Sequence, residues 1–378
     1  MIIKNGTVLT SEWKLVKLDI AIRDGKIAEL GSEITAETNE EYIDAADMIV
    51  IPGLIDIHTH GCAGFDFCDG SIEASTGIGK HLASRGVTSY LATSMALPEE
   101  RLEKIFRNGA RVMLDDNHEG ARMLGIHMEG PFFNKAKKGA QAEENIVDPD
   151  ISMFERLYEA ADRKIRLLDV APELEGAMDM IKRTSGRLKV SIGHTVADYD
   201  TALKAIAAGA GHITHLFNAM PAFTHRDPGV VGAAMDSDGT VELICDGFHI
   251  HPAVVRSVFK MFGDDRVVLV SDSMRACGLA NGDYELGGQP VKLIDGRATL
   301  MDGTLAGSAT DLMQCMRNAV SFGIPLESAV RAASMNPAAV AGASAFAGSI
   351  DIGKNADLLI VDDKLTLLNV IIGGVVQA

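Results

Sequence analysis

Eight short apolar runs, most of them separated by amphipathic segments, narrow the folds open to this 378-residue chain more than any other feature. They read VIPGLIDIH (50–58), VTSYLAT (87–93), RMLGIHME (122–129), KIRLLDVAPE (164–173), LKVSIGH (188–194), HITHLF (212–217), VELICDG (241–247) and RVVLVSD (266–272). Segments such as PEERLEKIFRNGARVML and DYDTALKAIAAG carry helical spacing between them. Short apolar runs alternating with helices predict parallel strands buried on both faces. Eight such units predict an α/β fold, a (β/α)8 barrel of the TIM type, over residues 51–345.

The two ends read differently. MIIKNGTVLT and KLDIAIRDGKIAELG alternate apolar and polar residues, with turn signals at Asn5-Gly6 and Asp24-Gly25. GSIDIGKNADLLIVDD and LLNVIIGGVVQA read alike. Both termini together, 1–50 plus 346–378, are therefore expected to form one small β-sandwich domain. Residues 218–240 read as a long irregular loop, and 283–304 as a hairpin inserted after the eighth run.

With 35 Lys and Arg against 52 Asp and Glu, the net charge is −17. That field disfavours nucleic acid and anionic membranes as partners, while leaving room for a small anion held by a local arginine. The five cysteines are irregularly spaced with no CxxC, as in a reducing, cytoplasmic compartment. Cys62 and Cys68 follow the first run closely enough to be weighed as metal ligands, but buried free thiols are the commoner outcome. MIIKNGTVLT has no signal-peptide pattern, and no apolar run has transmembrane length.

The chemistry gathers where the runs end. The first ends in His58 and His60, which strand alternation puts on one face. The third ends in Glu129, the fifth in His194 and the eighth in Asp272, while the sixth carries His215. In a (β/α)8 barrel the C-terminal strand ends meet at one mouth, where active sites form. Each histidine alone fits a hydrogen-bonded structural role. Together, several imidazoles and two carboxylates are costly to bury unless they bind something, and a divalent cation resolves that cost. Nitrogen and oxygen donors suit zinc, iron, manganese or cobalt.

These residues and further stretches carry a resemblance. The strand-one His-Thr-His, the barrel and the split β domain resemble the amidohydrolase superfamily. Within it, GIHMEGPFFN (125–134), KKGAQ (137–141), SIGHT (191–195), THLFNAMPAF (214–223), HRDPGVVG (225–232), DGFHIHP (246–252), LVSDSM (269–274) and LAGSA (305–309) resemble the family of N-acetylglucosamine-6-phosphate deacetylases. The similarity spans nearly the whole chain.

The resemblance implies a metal-dependent hydrolase that removes the acetyl group from a phosphorylated amino sugar. It implies one or two divalent ions per subunit, zinc or iron before manganese or cobalt. Glu129, His194 and His215 would hold one ion; His58 and His60 would hold a second, with Glu129 near both. Asp272 would act as general base and then general acid. Ala140, Gln141, Asn218, Ala219, Arg226, His249, Leu305, Ala306 and Gly307 would surround the sugar phosphate. Arg226 would serve the neighbouring subunit's site in a homodimer. The chain departs from the family at Gln141, where many members have histidine, and at Ser273, which follows Asp272 where alanine is familiar. The alternatives are a different N-acyl amino sugar, such as N-acetylgalactosamine 6-phosphate, and a non-catalytic barrel that binds without turnover. The latter should have lost ligands. His81, His118 and His251 are read as surface or loop residues, and Lys137 and Lys138 as a solvated pair.

Overall fold

The computed structural model describes residues 1–35, 40–114 and 119–377, so His118 lies outside the described residues. Eight parallel strands form the barrel: Leu54–Thr59, Val87–Thr93, Arg122–Met128, Ile165–Val170, Lys189–Ile192, Ala210–Ile213, Thr240–Ile244 and Val267–Val270. Each falls within or beside an apolar run of the sequence, and nearly every strand residue is buried. The intervening helices pack one apolar face inward. In Glu99–Leu114 the buried positions are Leu102, Ile105, Phe106, Gly109 and Ala110, a stripe of helical period. Ser71, Asp150, Asp198 and Asp311 each cap a helix by accepting a backbone N–H of the first turn.

The barrel closes between its first and eighth strands only near the mouth. Asp272 N–H donates to the His58 carbonyl at 2.9 Å, and His60 N–H donates to the Ser273 carbonyl at 2.8 Å. Beneath these, the fully buried Asp56 accepts from Ser271 Oγ at 2.5 Å and Ser271 N at 3.3 Å. The seam thus ties the His58–His60 segment directly to Asp272.

A second, mostly antiparallel sheet combines the two ends of the chain. Its path runs Val375–Val376, Leu367–Ile372, Leu358–Val361, Ile49–Pro52, Ile2–Leu9, Leu15–Arg23, Lys26–Gly31, with Tyr42–Asp44 added beside Ile2–Leu9. This small β-sandwich encloses its own apolar cluster, including Ile3, Val8, Ile20, Ile27, Val50, Leu358 and Ile360.

Four local expectations need correction. The first apolar run is two strands: Ile49–Pro52 pairs in the terminal sheet and Leu54–Thr59 in the barrel. Gly53 makes the handover, because a Cβ there would lie 2.3 Å from the Thr88 side chain. Asn5-Gly6 is a bulge inside a strand, with Asn5 at φ 62°, because Asp19 accepts the Asn5 N–H that a regular ladder would use. The 218–240 stretch contains the helix Gly229–Met235, a segment of small and β-branched residues with little periodicity to betray it. The insertion after the eighth strand is three-stranded: Gly282–Leu286, Gln289–Ile294 and Arg297–Leu300.

Candidate active site

At the barrel mouth, the strand ends deliver their side chains as the sequence suggested. His58, His60, Glu129, His194, His215 and Asp272 are all at most 8% exposed and lie together. His194, His215 and Asp272 sit at φ 48°, 29° and 47°, in the left-handed region that side chains seldom occupy. Strain concentrated at three neighbouring strand ends is typical of sites where function fixes the geometry.

Two groups of donors share Glu129. Glu129 Oε1 lies 3.1 Å from His194 Nε2 and 3.3 Å from His215 Nε2, and the two Nε2 atoms are 3.1 Å apart. Bonds of 2.0–2.2 Å to a tetrahedral ion place its donors about 3.3 Å apart, so this triangle has the size of a metal site. The second group is His58, His60 and Asp272. Asp272 Oδ1 is 3.6 Å from His58 Nε2 and 3.3 Å from His60 Nε2, while Glu129 lies 3.6 Å and 3.4 Å from the same nitrogens.

The hydrogen bonding fits ions in both places. His58 Nε2 is buried and has no hydrogen-bond partner, although it faces two carboxylates. His194 Nδ1 donates to the Lys137 carbonyl at 2.8 Å, which leaves Nε2 free to face Glu129. Gln141 is engaged at both ends of its amide: Oε1 accepts from Ala96 N at 2.7 Å, and Nε2 donates to Glu129 Oε2 at 2.8 Å.

Electrostatics give the same picture. Burial pulls His58 down, but Glu242, Asp272 and Glu129 raise it well above its ordinary 6.5. Burial likewise opposes His60 and His215, and neighbouring carboxylates raise both. Burial pushes Glu129 up, yet the His194 and His215 hydrogen bonds hold it well below the usual carboxylate range.

A cavity of about 330 Å³ opens above these donors. His60, Glu129, His194, His215 and Asp272 form part of its lining, as do Ala140, Gln141, Asn218, Ala219, His249, Leu305 and Gly307. Asp246 orients His249: its carboxylate lies 2.6 Å from Nδ1 and accepts the backbone N–H of Phe248 and His249 at 2.8 Å. Asn218 directs its amide to the carbonyls of His215 and Leu216. Ala306 is fully buried and does not line the cavity; its N–H donates to the Ala298 carbonyl. Arg226 is exposed and stands outside the cavity, in a separate cleft with Asp198, Tyr199 and Asp227. Lys137 lines the cavity and donates to the Met220 carbonyl, so it is not simply solvated. Cys62 and Cys68 are buried thiols outside every candidate metal group among the described residues. His251 caps the helix Pro252–Phe262.

A layer of buried polar groups lies beneath, and its Glu242 was not among the expected site residues. Glu242, fully buried on the seventh strand, lies 2.8 Å from His58 Nδ1 and accepts from His215 N at 3.0 Å. Nearby, His127 Nε2 is 3.0 Å from Asp169 Oδ1, and Thr214 Oγ1 donates to the same oxygen at 2.8 Å. A charged residue inside an otherwise apolar strand, as in VELICDG, was the available signal.

Comparison with known proteins agrees with this geometry. The model of the amidohydrolase family matches residues 49–376. The chain is 36% identical to an N-acetylglucosamine-6-phosphate deacetylase of Bacillus subtilis, over 99% of this chain and 96% of that one. It is 32% identical to an N-acetylgalactosamine-6-phosphate deacetylase of Escherichia coli, over 99% and 98%. The crystal structure of the N-acetylglucosamine-6-phosphate deacetylase of Pasteurella multocida superposes with a TM-score of 0.94 at 30% identity, covering 100% of this chain and 99% of the other. That family consists of hydrolytic enzymes that generally depend on divalent metal, and the buried His, Asp and Glu groups here suit such an ion. Among the described residues no helix is long and apolar enough to cross a membrane. The matched span, the barrel and the donor set at its mouth agree: the chain belongs to the amidohydrolase family.

Proposed function

We propose that this chain hydrolyses N-acetylglucosamine 6-phosphate to glucosamine 6-phosphate and acetate. The observation that carries the reading is the shared Glu129, with imidazoles on both sides, at the floor of a cavity that also holds the Asp272 carboxylate. Full-length likeness to deacetylases of this substrate supports it.

In this reading Glu129, His194 and His215 hold one divalent ion, and His58 and His60 a second, zinc or iron being the best matched. A bound ion supplies Lewis acidity, lowering the pKa of water and polarising the amide carbonyl. Asp272 accepts the water proton as the C–O bond forms. It then delivers that proton to the nitrogen as the C–N bond breaks, so the amine leaves neutral. His249, held by Asp246, points a ring nitrogen toward the sugar phosphate. Asn218, Ala219, Ala140, Gln141, Leu305 and Gly307 shape the wall. Arg226 binds the phosphate of the neighbouring subunit's substrate in a homodimer, its planar fork matching the dianion. Five buried free thiols and a phosphorylated substrate fit the cytoplasm as the compartment.

The test is acetate release by metal-loaded and chelator-treated protein. The substrates are N-acetylglucosamine 6-phosphate, its galactosamine counterpart and the unphosphorylated sugar. Metal-dependent release fastest from the glucosamine phosphate is expected. Preference for the galactosamine phosphate would move the assignment to that substrate, and no release from any of them would overturn it.

A further inference from the structure

Glu242 lies beneath the site and has no place in the chemistry above. It is fully buried, as are His58 and His212. Its Oε2 lies 2.8 Å from His58 Nδ1, and its Oε1 lies 3.2 Å from His212 Nε2. His212 Nδ1 is in turn 2.6 Å from Thr240 Oγ1. A third contact, from His215 N to Oε2 at 3.0 Å, fixes the carboxylate against the end of the neighbouring sixth strand. A carboxylate accepts only, so the His58 nitrogen facing it carries the hydrogen. The opposite nitrogen, Nε2, is the buried atom without a hydrogen-bond partner that faces Glu129 and Asp272.

We propose that Glu242 is a positioning residue for the ion at His58 and His60: it holds His58 in the Nδ1–H tautomer with Nε2 presented to the metal, and His212 and Thr240 brace it from behind. The chain Thr240–His212–Glu242–His58 crosses from the sixth and seventh strands to the first. It sets ring orientation and raises the ligand's basicity, the two effects of a carboxylate behind a metal-bound imidazole. The inference rests on His58 and His60 being ligands.

The contacts of the carboxylate support this assignment. The Glu242 carboxylate faces an imidazole nitrogen with each of its oxygens, at 2.8 Å and 3.2 Å. Glu242 never touches the cavity, since it is not part of the lining. Glutamine fits the same contacts. Its carbonyl can accept from His58 and His215 N, and its amide can donate to the other tautomer of His212. Glu242→Gln therefore removes charge while keeping shape, and Glu242→Ala removes both.

The experiment is a metal titration of the parent chain, Glu242→Gln and Glu242→Ala with zinc, reading stoichiometry and the affinity of each ion. Circular dichroism of each protein runs alongside. In the parent, two ions are expected. In Glu242→Gln one ion is expected to bind about tenfold more weakly, and in Glu242→Ala about a hundredfold, with Glu242→Gln leaving the other ion near its parental affinity. Unchanged affinities, or equal weakening of both ions in Glu242→Gln, would overturn the proposal. A parent that binds one ion overturns the two-ion reading and this inference together, and that result is read before any variant. Should the variants fail to fold, nitrogen NMR of the cadmium-loaded parent decides. Coupling of cadmium to His58 through Nε2, with Nδ1 protonated, is expected, and coupling through Nδ1 refutes the role. Acetate release is a separate measurement, so failure of the substrate assignment leaves these outcomes intact.

Discussion

Replacing Gln141 with methionine should weaken the ion at Glu129, His194 and His215 by about tenfold to a hundredfold. Methionine keeps the length of the side chain and deletes both of its hydrogen bonds. One is the 2.8 Å bond from Nε2 to Glu129 Oε2, a bond to a charged group worth about 1.5–3 kcal/mol. At about 1.4 kcal/mol per factor of ten, that is roughly one to two orders of magnitude in affinity. The same range holds for partners that orient metal ligands. The other bond satisfies Ala96 N–H, which is 1% exposed, and leaving that group unpaired costs about 1–3 kcal/mol of stability. A chelator-competition titration reads the first effect, and thermal melting of the metal-free protein reads the second. Gln141 also lines the cavity, so a role in contacting substrate is the competing account. That account predicts a higher KM at saturating metal with metal affinity unchanged, and this result would refute the reasoning from Glu129.

Three further outcomes follow. Asp272→Asn should lower kcat by about 10²–10⁴-fold, the usual worth of a positioned acid–base group, while metal analysis finds the Glu129 ion retained; unchanged kcat would remove Asp272 from proton transfer. For Asp19, burial pushes the carboxyl up, but the N–H groups of Ile34 and Asn5 and the Lys4 ammonium hold it below its ordinary 3.8. A depressed carboxyl stabilises fully above its unfolded pKa of about 3.9, and the contribution is lost as pH falls through the folded value. Melting temperature should therefore drop on acidification from about pH 4, and Asp19→Ala should flatten that drop. Gly53→Val should destabilise the chain by roughly 1–3 kcal/mol or more through overpacking against Thr88, read by denaturant unfolding; a neutral result would show that the junction relaxes freely.

Much of this was legible in the sequence because burial leaves a strong mark. A strand covered on both faces needs a continuous apolar run, and VTSYLAT is a strand over its whole length. His58, Glu129 and Asp272 were legible because a polar group at the end of such a run breaks the pattern. Arg226 sits on an exposed loop outside the cavity of its own chain, so its expected role at a neighbouring subunit's site is a matter of assembly that the pattern of one chain does not carry. Glu242 was hidden for a different reason. Its partners His58 and His212 lie 184 and 30 residues away, and only closure of the barrel brings them together. The bulge at Asn5 was read as a turn because both conformations ask for φ > 0, and the side chain of Asp19 decides between them.

The terminal sheet also sets an order of assembly. Ile49–Pro52 pairs on one side with Ile2–Leu9, made moments earlier, and on the other with Leu358–Val361. On the order of 300 residues separate Ile49–Pro52 from Leu358–Val361, or roughly 15–60 s of synthesis at 5–20 residues per second. Throughout that interval an apolar strand has one edge without its mate while the whole barrel is being made, and open edges of this kind recruit other chains. The strand just before the one that carries His58 thus has its second edge paired last, once Leu358–Val361 has emerged.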